Sequence, residues 1–189
     1  MAKNIKRILP LCIVIIMCLG CTVFAGESVP GNVQNTNIND SNRIDESGTI
    51  ENPDILIENL TRGTEVPTKF KNLGTGAYAV SGTYKVYLNT NYYFTPDSFG
   101  TLTVNATTTW PSQYVLQKQM TVSVKSVKTN KVVKSATAHT TYNSSTGLYS
   151  KAATLSKTFT GLDPDESYYI MFEKTNDTYA ATLSGTISW

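Results

Sequence analysis

Residues 101–107 read Thr-Leu-Thr-Val-Asn-Ala-Thr, so every second side chain is apolar. In an extended chain this spacing places Leu102, Val104 and Ala106 on one face and the polar residues on the other. The same alternation recurs in further segments: Tyr84, Val86 and Leu88; Met120, Val122 and Val124; Tyr168, Ile170 and Phe172; and Ala181, Leu183 and Ile187. Strands with one apolar and one polar face predict antiparallel sheets packed face to face.

Turn signals separate these segments. Residues 128–131, Lys-Thr-Asn-Lys, predict a tight hairpin, residues 144–147, Ser-Ser-Thr-Gly, a longer one, and residues 161–167 a corner. From Asn72 to Trp189 the chain holds 22 Thr, 13 Ser and all 11 Tyr, which suit strands better than helices. We therefore predict an all-β antiparallel β-sandwich over residues 72–189. It would have about eight or nine strands and be Ig-like or jelly-roll in type.

The first 25 residues predict an export signal. Basic residues stand at the start, an almost wholly apolar run follows from Ile8 to Leu19, and small residues end the segment. We expect cleavage between Ala25 and Gly26 and hence a secreted protein. Residues 19–21, Leu-Gly-Cys, leave an alternative open, because they resemble the end of a bacterial lipoprotein box. Lipidation of Cys21 would hold the protein on the outer face of the cell membrane.

Cleavage would change the composition of the chain. All three cysteines lie within the first 21 residues, so the exported form would have no disulfide, thiol nucleophile or Cys-based zinc site. Removing three of the 16 basic residues leaves 13 against 14 acidic ones, and this balance does not point to nucleic acid.

Residues 26–71 differ from the rest of the chain and predict a flexible polar leader. Between residues 26 and 70, eight acidic side chains face only Arg43, Arg62 and Lys69. A segment with so few apolar groups and a net negative charge does not offset the entropy lost on folding. Residues 55–57, Ile-Leu-Ile, are an exception that can form a strand or dock on the domain.

Residues 161–168, Gly-Leu-Asp-Pro-Asp-Glu-Ser-Tyr, resemble the corner of fibronectin type III and related immunoglobulin-like domains. The resemblance implies that the Tyr168 ring packs between the sheets while its hydroxyl holds nearby backbone. A broader likeness in pattern, over residues 93–104, 122–124 and 168–170, is to bacterial pre-peptidase C-terminal domains. These are secreted β-sandwiches appended to exported enzymes, and some bind polymers. Both resemblances imply an extracellular, non-catalytic sandwich.

Aromatic residues outnumber what one small core needs. The surplus comprises Tyr92, Tyr93, Trp110, Tyr114, Tyr142, Tyr149, Tyr169 and Tyr179. Exposed rings of this kind stack on sugars or hold partner proteins. The candidate ligand contacts are Tyr92, Tyr93, Trp110, Tyr114, Tyr169 and Tyr179.

Two charged groups are also candidate sites. Lysines that crowd one hairpin would meet an anionic polymer or protect a sheet edge from aggregation; they are Lys125, Lys128, Lys131 and Lys134. The cluster Asp163, Asp165 and Glu166 is a calcium candidate, with a solvated turn as the alternative, since it lacks the further oxygen ligands of a recognised calcium loop.

Catalysis has little support in the sequence. His139 is the only histidine, and no nucleophile motif accompanies it. We predict that the protein is not an enzyme and uses no cofactor. We expect a binding or structural module of the bacterial cell exterior, with a cell-wall glycan or an extracellular protein as partner and the oligomeric state left open. The alternative is a secreted membrane-active factor, a bacteriocin or a β-pore toxin, since residues 135–161 resemble a pore-forming hairpin.

Overall fold

The structure is a computed structural model that describes residues 47–58 and 65–189. Apart from a 3-10 turn at Leu73–Thr75, its regular elements are strands. They are β1 (Asp54–Ile57), β2 (Lys69–Phe70), β3 (Tyr78–Tyr84), β4 (Tyr87–Asn89), β5 (Tyr92–Tyr93), β6 (Leu102–Thr109), β7 (Gln119–Ser126), β8 (Val132–His139), β9 (Tyr142–Asn143), β10 (Leu148–Tyr149), β11 (Ala152–Phe159), β12 (Tyr168–Lys174) and β13 (Ala181–Ser188). Within the described ranges, no helix has the length and apolarity needed to cross a membrane.

The longer strands form two sheets. One has five strands in the order β1-β3-β13-β6-β11, and the other has four in the order β4-β12-β7-β8. Neighbours within the sheets are antiparallel except for β1, which runs parallel to β3. Two short ladders, β2–β5 and β9–β10, complete the described chain. The all-β antiparallel sandwich predicted from the sequence is confirmed.

Apolar side chains from one face of each sheet form a single core. The five-stranded sheet contributes Leu102, Val104, Ala106, Leu183 and Ile187, and the four-stranded sheet contributes Met120, Val122, Val124, Ile170 and Phe172. On β6 buried positions alternate with more exposed ones along the whole strand, as the sequence predicts. No described residue is a cysteine, so apolar burial and backbone pairing hold the sheets together without a disulfide.

The alternation at residues 82–88 conceals a break that the sequence does not signal. The chain leaves the five-stranded sheet after Tyr84 and enters the four-stranded sheet at Tyr87. The Glu58 carboxylate accepts hydrogen bonds from the backbone amides of Lys85 at 2.8 Å, Val86 at 2.6 Å and Tyr87 at 3.3 Å. One side chain thus satisfies the donors that the crossing removes from both sheets.

The predicted leader contains part of the sandwich. Residues 55–57 belong to β1, where Leu56 is buried in the core, so the boundary at residue 72 lies too far along the chain. Gly82 permits this pairing, because a Cβ there would stand 2.7 Å from the Leu56 carbonyl oxygen. The Asp54 carboxylate, also buried, accepts hydrogen bonds from the Tyr78 hydroxyl and the Asn91 amide.

Tyr168 makes the contact that the corner resemblance implies. It lies at the start of β12 with its ring buried, and its hydroxyl accepts a hydrogen bond from the Asp163 amide at 3.0 Å. The strand order differs from that of an immunoglobulin domain, whose last two strands share a sheet, because β12 and β13 lie in different sheets.

The connections between strands gather at two ends of the sandwich. Residues 110–118, 140–151 and 175–180 lie at one end, which we call the row end because a row of tyrosines lies there. Residues 95–101, 127–131 and 160–167 lie at the other, the corner end. The predicted hairpins at 128–131 and 144–147 are both present, with Asn130 and Gly147 in the left-handed backbone conformation. The predicted export signal, the Ala25–Gly26 cleavage site, Cys21 and residues 26–46 lie outside the described residues.

We predict that Glu58→Gln lowers the free energy of unfolding by about 1–3 kcal/mol, because a neutral amide accepts these hydrogen bonds less strongly than a carboxylate. Urea denaturation at pH 7 measures the change. Glu173→Gln, at an exposed position on β12, is the matched control and should stay within about 0.5 kcal/mol of the original protein. Equal effects of the two substitutions would show that Glu58 does not support the crossing.

Candidate functional site

Backbone pairing brings three tyrosines into register at the row end. Tyr142 on β9 pairs with Tyr149 on β10, and Tyr149 forms an isolated bridge with Tyr114 on its other side. The Tyr149 amide donates to the Tyr114 carbonyl oxygen at 2.8 Å. Directly paired residues of antiparallel strands point to the same side, so the three side chains leave the backbone in one direction.

A fourth ring extends this line. The Tyr114 and Tyr179 ring centroids are 5.4 Å apart with an interplanar angle of 51°, and those of Tyr142 and Tyr149 are 5.2 Å apart at 57°. We call Tyr142, Tyr149, Tyr114 and Tyr179 the tyrosine row. Its outer members are about half exposed, Tyr142 at 55% and Tyr179 at 50%, and its inner members are half-buried. The row is therefore an aromatic strip of mutually tilted rings, accessible at its two ends.

A buried ion cluster positions one half of the row. The Asp177 carboxylate accepts from the Lys118 ammonium at 2.8 Å and from the Lys174 ammonium at 2.7 Å. It also accepts from the Tyr179 amide at 3.1 Å. The Lys118 Nζ lies 4.5 Å from the centre of the Tyr114 ring, within cation–π range. Asp177 thus links the two loops that carry Tyr114 and Tyr179.

The electrostatics of Asp177 follow from these contacts. Burial raises the pKa of its carboxyl, but hydrogen bonds from Lys118, Lys174 and the Tyr179 amide outweigh burial and hold that pKa below its usual value. The Lys174 side chain is 0% exposed, so Asp177 provides the charge that makes its burial tolerable.

Two polar atoms of the row end have no hydrogen-bond partner among the described residues. They are the Tyr114 hydroxyl oxygen and the Trp110 indole Nε1, and both are buried. Buried polar groups are almost always paired, so these two atoms are exceptions within the described part of the chain.

The structure separates the six aromatic ligand candidates. Trp110 and Tyr169 are fully buried and Tyr92 nearly so, and a ring without an open face cannot stack on a sugar. Trp110 packs in the core. Tyr169 does lie on the outer face of its sheet, but the Lys125 ammonium lies 5.3 Å from its ring centre and its hydroxyl donates to Asn130. Of the six, Tyr114 and Tyr179 come together in the row.

The remaining candidate, Tyr93, lies apart from the row. Its ring centroid is 5.6 Å from that of Phe70 on β2. Its neighbour Tyr92 packs edge-on against Tyr78, with centroids 5.5 Å apart. These two tyrosines support the sandwich beside β2 and do not extend the aromatic strip.

The lysine group is smaller than the sequence suggests. Lys128, Lys131 and Lys134 are exposed, but Lys125 is buried against Tyr169 and is not available to an anionic partner. Three exposed lysines on one turn and the adjoining edge strand also fit protection of that edge against pairing with another chain.

The acidic residues Asp163, Asp165 and Glu166 lie together in one turn at the corner end. The Asp163 side chain accepts from the Asp165 amide at 3.0 Å, and the Glu166 amide donates to the Asp163 carbonyl oxygen at 3.1 Å, so the segment is a hydrogen-bonded turn. Within residues 47–58 and 65–189, no group of three or more His, Cys, Asp or Glu side chains could hold a metal ion. His139 is exposed at the end of β8.

Sequence reasoning missed the residues that organise the row. Tyr142 and Tyr149 belong to the aromatic surplus but not to the six candidate ligand contacts. Both tyrosines flank a Ser-Ser-Thr-Gly turn, and this spacing indicates that they pair across a hairpin. Asp177 carries no signal in the sequence, because its two lysine partners lie 3 and 59 positions away along the chain.

Comparison with known proteins does not assign the chain to a family. No protein-family model matches the chain, and no curated protein matches it. The resemblances to fibronectin type III and pre-peptidase C-terminal domains therefore remain predictions. Function has to be inferred from the row end itself.

We predict that Asp177→Asn lowers the free energy of unfolding at pH 7 by about 3 kcal/mol, because it leaves two buried lysines without a counter-charge. The folded-state pKa of Asp177 is depressed, so its contribution is complete above the unfolded value of 3.8 and is lost as pH falls below it. Urea denaturation between pH 7 and pH 2.5 should show the two proteins converging in acid. The exposed Asp165→Asn is the control, and a constant gap at every pH would contradict the prediction.

Proposed function

We propose that the protein is an exported, non-catalytic binding module of the bacterial cell exterior that holds a sugar polymer on the tyrosine row. The observation that carries this proposal is the alignment of four tyrosines in one strip, with half-exposed rings at both ends. Loops at one end of a rigid sandwich are a common place for binding residues.

The chemistry of the row favours a sugar over other ligands. Tyrosine combines an apolar face, which covers the C–H side of a sugar ring, with a hydroxyl that exchanges hydrogen bonds with sugar hydroxyls. Rings with two torsions lose little conformational entropy on binding. Lys118 and Lys174 beside the row are engaged by Asp177, whereas Lys151 at the row end is exposed.

A second candidate function is action on membranes, and one feature of the row end favours it. Val115 and Leu116 follow Tyr114 directly and are 73% and 70% exposed. Exposed aliphatic side chains beside tyrosines suit the boundary between lipid tails and headgroups. A pore-forming hairpin at residues 135–161 has less support, since β8 and β11 lie in different sheets and each is paired along its length.

Export is part of the proposal and rests on the first 25 residues. A secreted form begins at Gly26, whereas lipidation of Cys21 keeps the protein on the membrane. Mass spectrometry of the mature N-terminus distinguishes the two. In either form the partner is a polymer or protein outside the cell.

We predict that protein produced from the full-length sequence co-sediments with insoluble bacterial cell-wall polysaccharide. It should not co-sediment with anionic liposomes. Replacing both exposed row residues, as Tyr142→Ala with Tyr179→Ala, should weaken apparent binding about tenfold or more, because two stacking faces are removed. Sedimentation over a range of polysaccharide concentrations gives the apparent Kd.

Phe99→Ala is the matched control for this experiment. Phe99 is a highly exposed aromatic residue, and it lies at the corner end. Its loss should leave binding unchanged. Pelleting with liposomes, abolished by Leu116→Asp, would replace the sugar proposal with membrane action, and equal effects of Phe99→Ala and the row variant would contradict a site at the row.

A further inference from the structure

The outer face of the five-stranded sheet is covered by hydroxyl and amide side chains. On its three adjacent strands β13, β6 and β11, the outward positions that contribute polar side chains are Thr182, Ser184, Thr186 and Ser188; Thr103, Asn105, Thr107 and Thr109; and Thr154, Ser156 and Thr158. We call this set the hydroxyl lattice. None of its members is charged. It contains seven of the 22 Thr and three of the 13 Ser of residues 72–189.

Strand register arranges these side chains in rows across the sheet. Ser184 pairs with Thr107, which pairs with Thr154, and the neighbouring row runs from Thr186 through Asn105 to Ser156. Neighbouring strands lie roughly 4.8 Å apart, and alternate residues of one strand about 6.6 Å apart. Hydroxyl groups therefore repeat at short intervals in both directions.

Hydrogen bonds between side chains hold part of the lattice in a fixed orientation. The hydroxyl oxygens of Thr107 and Thr154 are 3.1 Å apart, and the Ser156 hydroxyl donates to the Asn105 side-chain oxygen at 2.6 Å. Each hydroxyl has one donor and two acceptor positions, so such a pair keeps further capacity for a ligand. The lattice is thus an ordered set of donors and acceptors.

A shallow groove crosses the lattice. It measures about 400 Å³, and its lining includes Ser184, Thr107 and Ser156, with Ile50 and Pro53 also contributing. This volume falls within the range of sites that hold small ligands, roughly 300–1,000 Å³. The groove combines hydroxyl groups with apolar side chains, the two kinds of surface that a sugar also presents.

The composition of the lattice favours an uncharged, hydroxyl-rich partner over an anionic polymer or a protein. An anionic polymer or lipid surface is held by cations, and the lattice has none. Stable protein interfaces are anchored by Trp, Tyr or Arg, and none of these belongs to the lattice. An uncharged polymer bearing many hydroxyl groups remains as the partner whose chemistry matches.

The twist of the sheet indicates whether a single polymer chain or a crystalline polymer surface fits the lattice. Adjacent strands rotate by roughly 20–25° relative to one another, so the rows turn by several tens of degrees across the sheet. A flat crystalline surface would contact only part of a twisted face. A single flexible chain can follow the groove from β11 to β13.

We propose that the hydroxyl lattice is a second binding surface, which takes one chain of a neutral polysaccharide along the groove over Ser184, Thr107 and Thr154. This inference rests on the proposed function and extends it, because it assigns the polymer class as uncharged. The row end would hold sugar rings by stacking, whereas the lattice would hold a chain by hydrogen bonds.

The test places a charge on the lattice and an identical charge on the opposite sheet. Thr154→Asp is the lattice variant. Its matched control is Thr137→Asp, which is also exposed on an edge strand and whose hydroxyl is 2.9 Å from that of Thr121. Binding to amorphous cellulose and to chitin is measured by co-sedimentation of the full-chain protein, and urea denaturation verifies that both variants fold.

We expect wild-type protein to bind at least one of the two polysaccharides, and Thr154→Asp to weaken that binding about tenfold, because the neutral chain must desolvate an unpaired charge. Thr154→Lys should weaken binding as well, whereas Thr154→Ser and Thr137→Asp should not. Stronger binding by Thr154→Lys would identify an anionic polymer and overturn the inference. A dimer abolished by Thr154→Asp in sedimentation equilibrium would identify a second copy as the occupant and also overturn it.

Failures of the two proposals are distinguishable. If the double tyrosine variant loses cell-wall binding while Thr154→Asp binds cellulose and chitin as well as wild type does, the lattice inference is wrong and the row proposal stands. If only the Thr154 substitutions matter, the row proposal is wrong. Wild-type protein that binds neither cellulose nor chitin overturns the inference whatever the tyrosine variants do with cell-wall material.

Discussion

The sandwich depends on burial of one face of each sheet against the other. Phe172, Val122 and Leu102 are fully excluded from solvent, and no disulfide joins the described strands. Because strand side chains alternate, this requirement also fixes which residues face outward. The hydroxyl lattice is therefore arranged by the packing of residues on the opposite side of the backbone. A slip of one residue in β6 would exchange Val104 for Asn105 in the core and lose both the core and the lattice.

Much of this fold could be predicted from local pattern, and what could not depends on contacts that are distant in sequence. The strands around Val104, Val122 and Ile170 follow from period-two alternation. The break after Tyr84 does not, because the alternation continues through it and the carboxylate that permits it, Glu58, is 27 residues from Lys85. Residues 55–57, Ile-Leu-Ile, indicate that a strand can form within the leader, but not that it joins the five-stranded sheet, because parallel pairing needs no nearby turn.

The candidate site was predictable in kind but not in detail. A surplus of aromatic residues indicated that some rings lie outside the core. Which ones do depends on tertiary contacts: Tyr169 faces outward and is nevertheless covered by Lys125, and Trp110 begins a loop and is nevertheless in the core. The pairing of Tyr114 with Tyr149 joins residues 35 positions apart (149 − 114), and composition cannot reveal it. Asp177 illustrates the same limit, since an acidic residue in a loop is ordinarily solvated.

The parallel pairing of β1 has a geometric consequence for how the domain is displayed. Because β1 runs parallel to β3 and β13 runs antiparallel to it, the chain enters the sandwich at Asp54 and leaves it at Ser188 on the same side, next to the start of β6. The tyrosine row lies beyond the other end of β6. Both ends of the sandwich chain, Asp54 and Ser188, therefore lie at the end opposite the tyrosine row. The length of the strands separates the row from both of these positions.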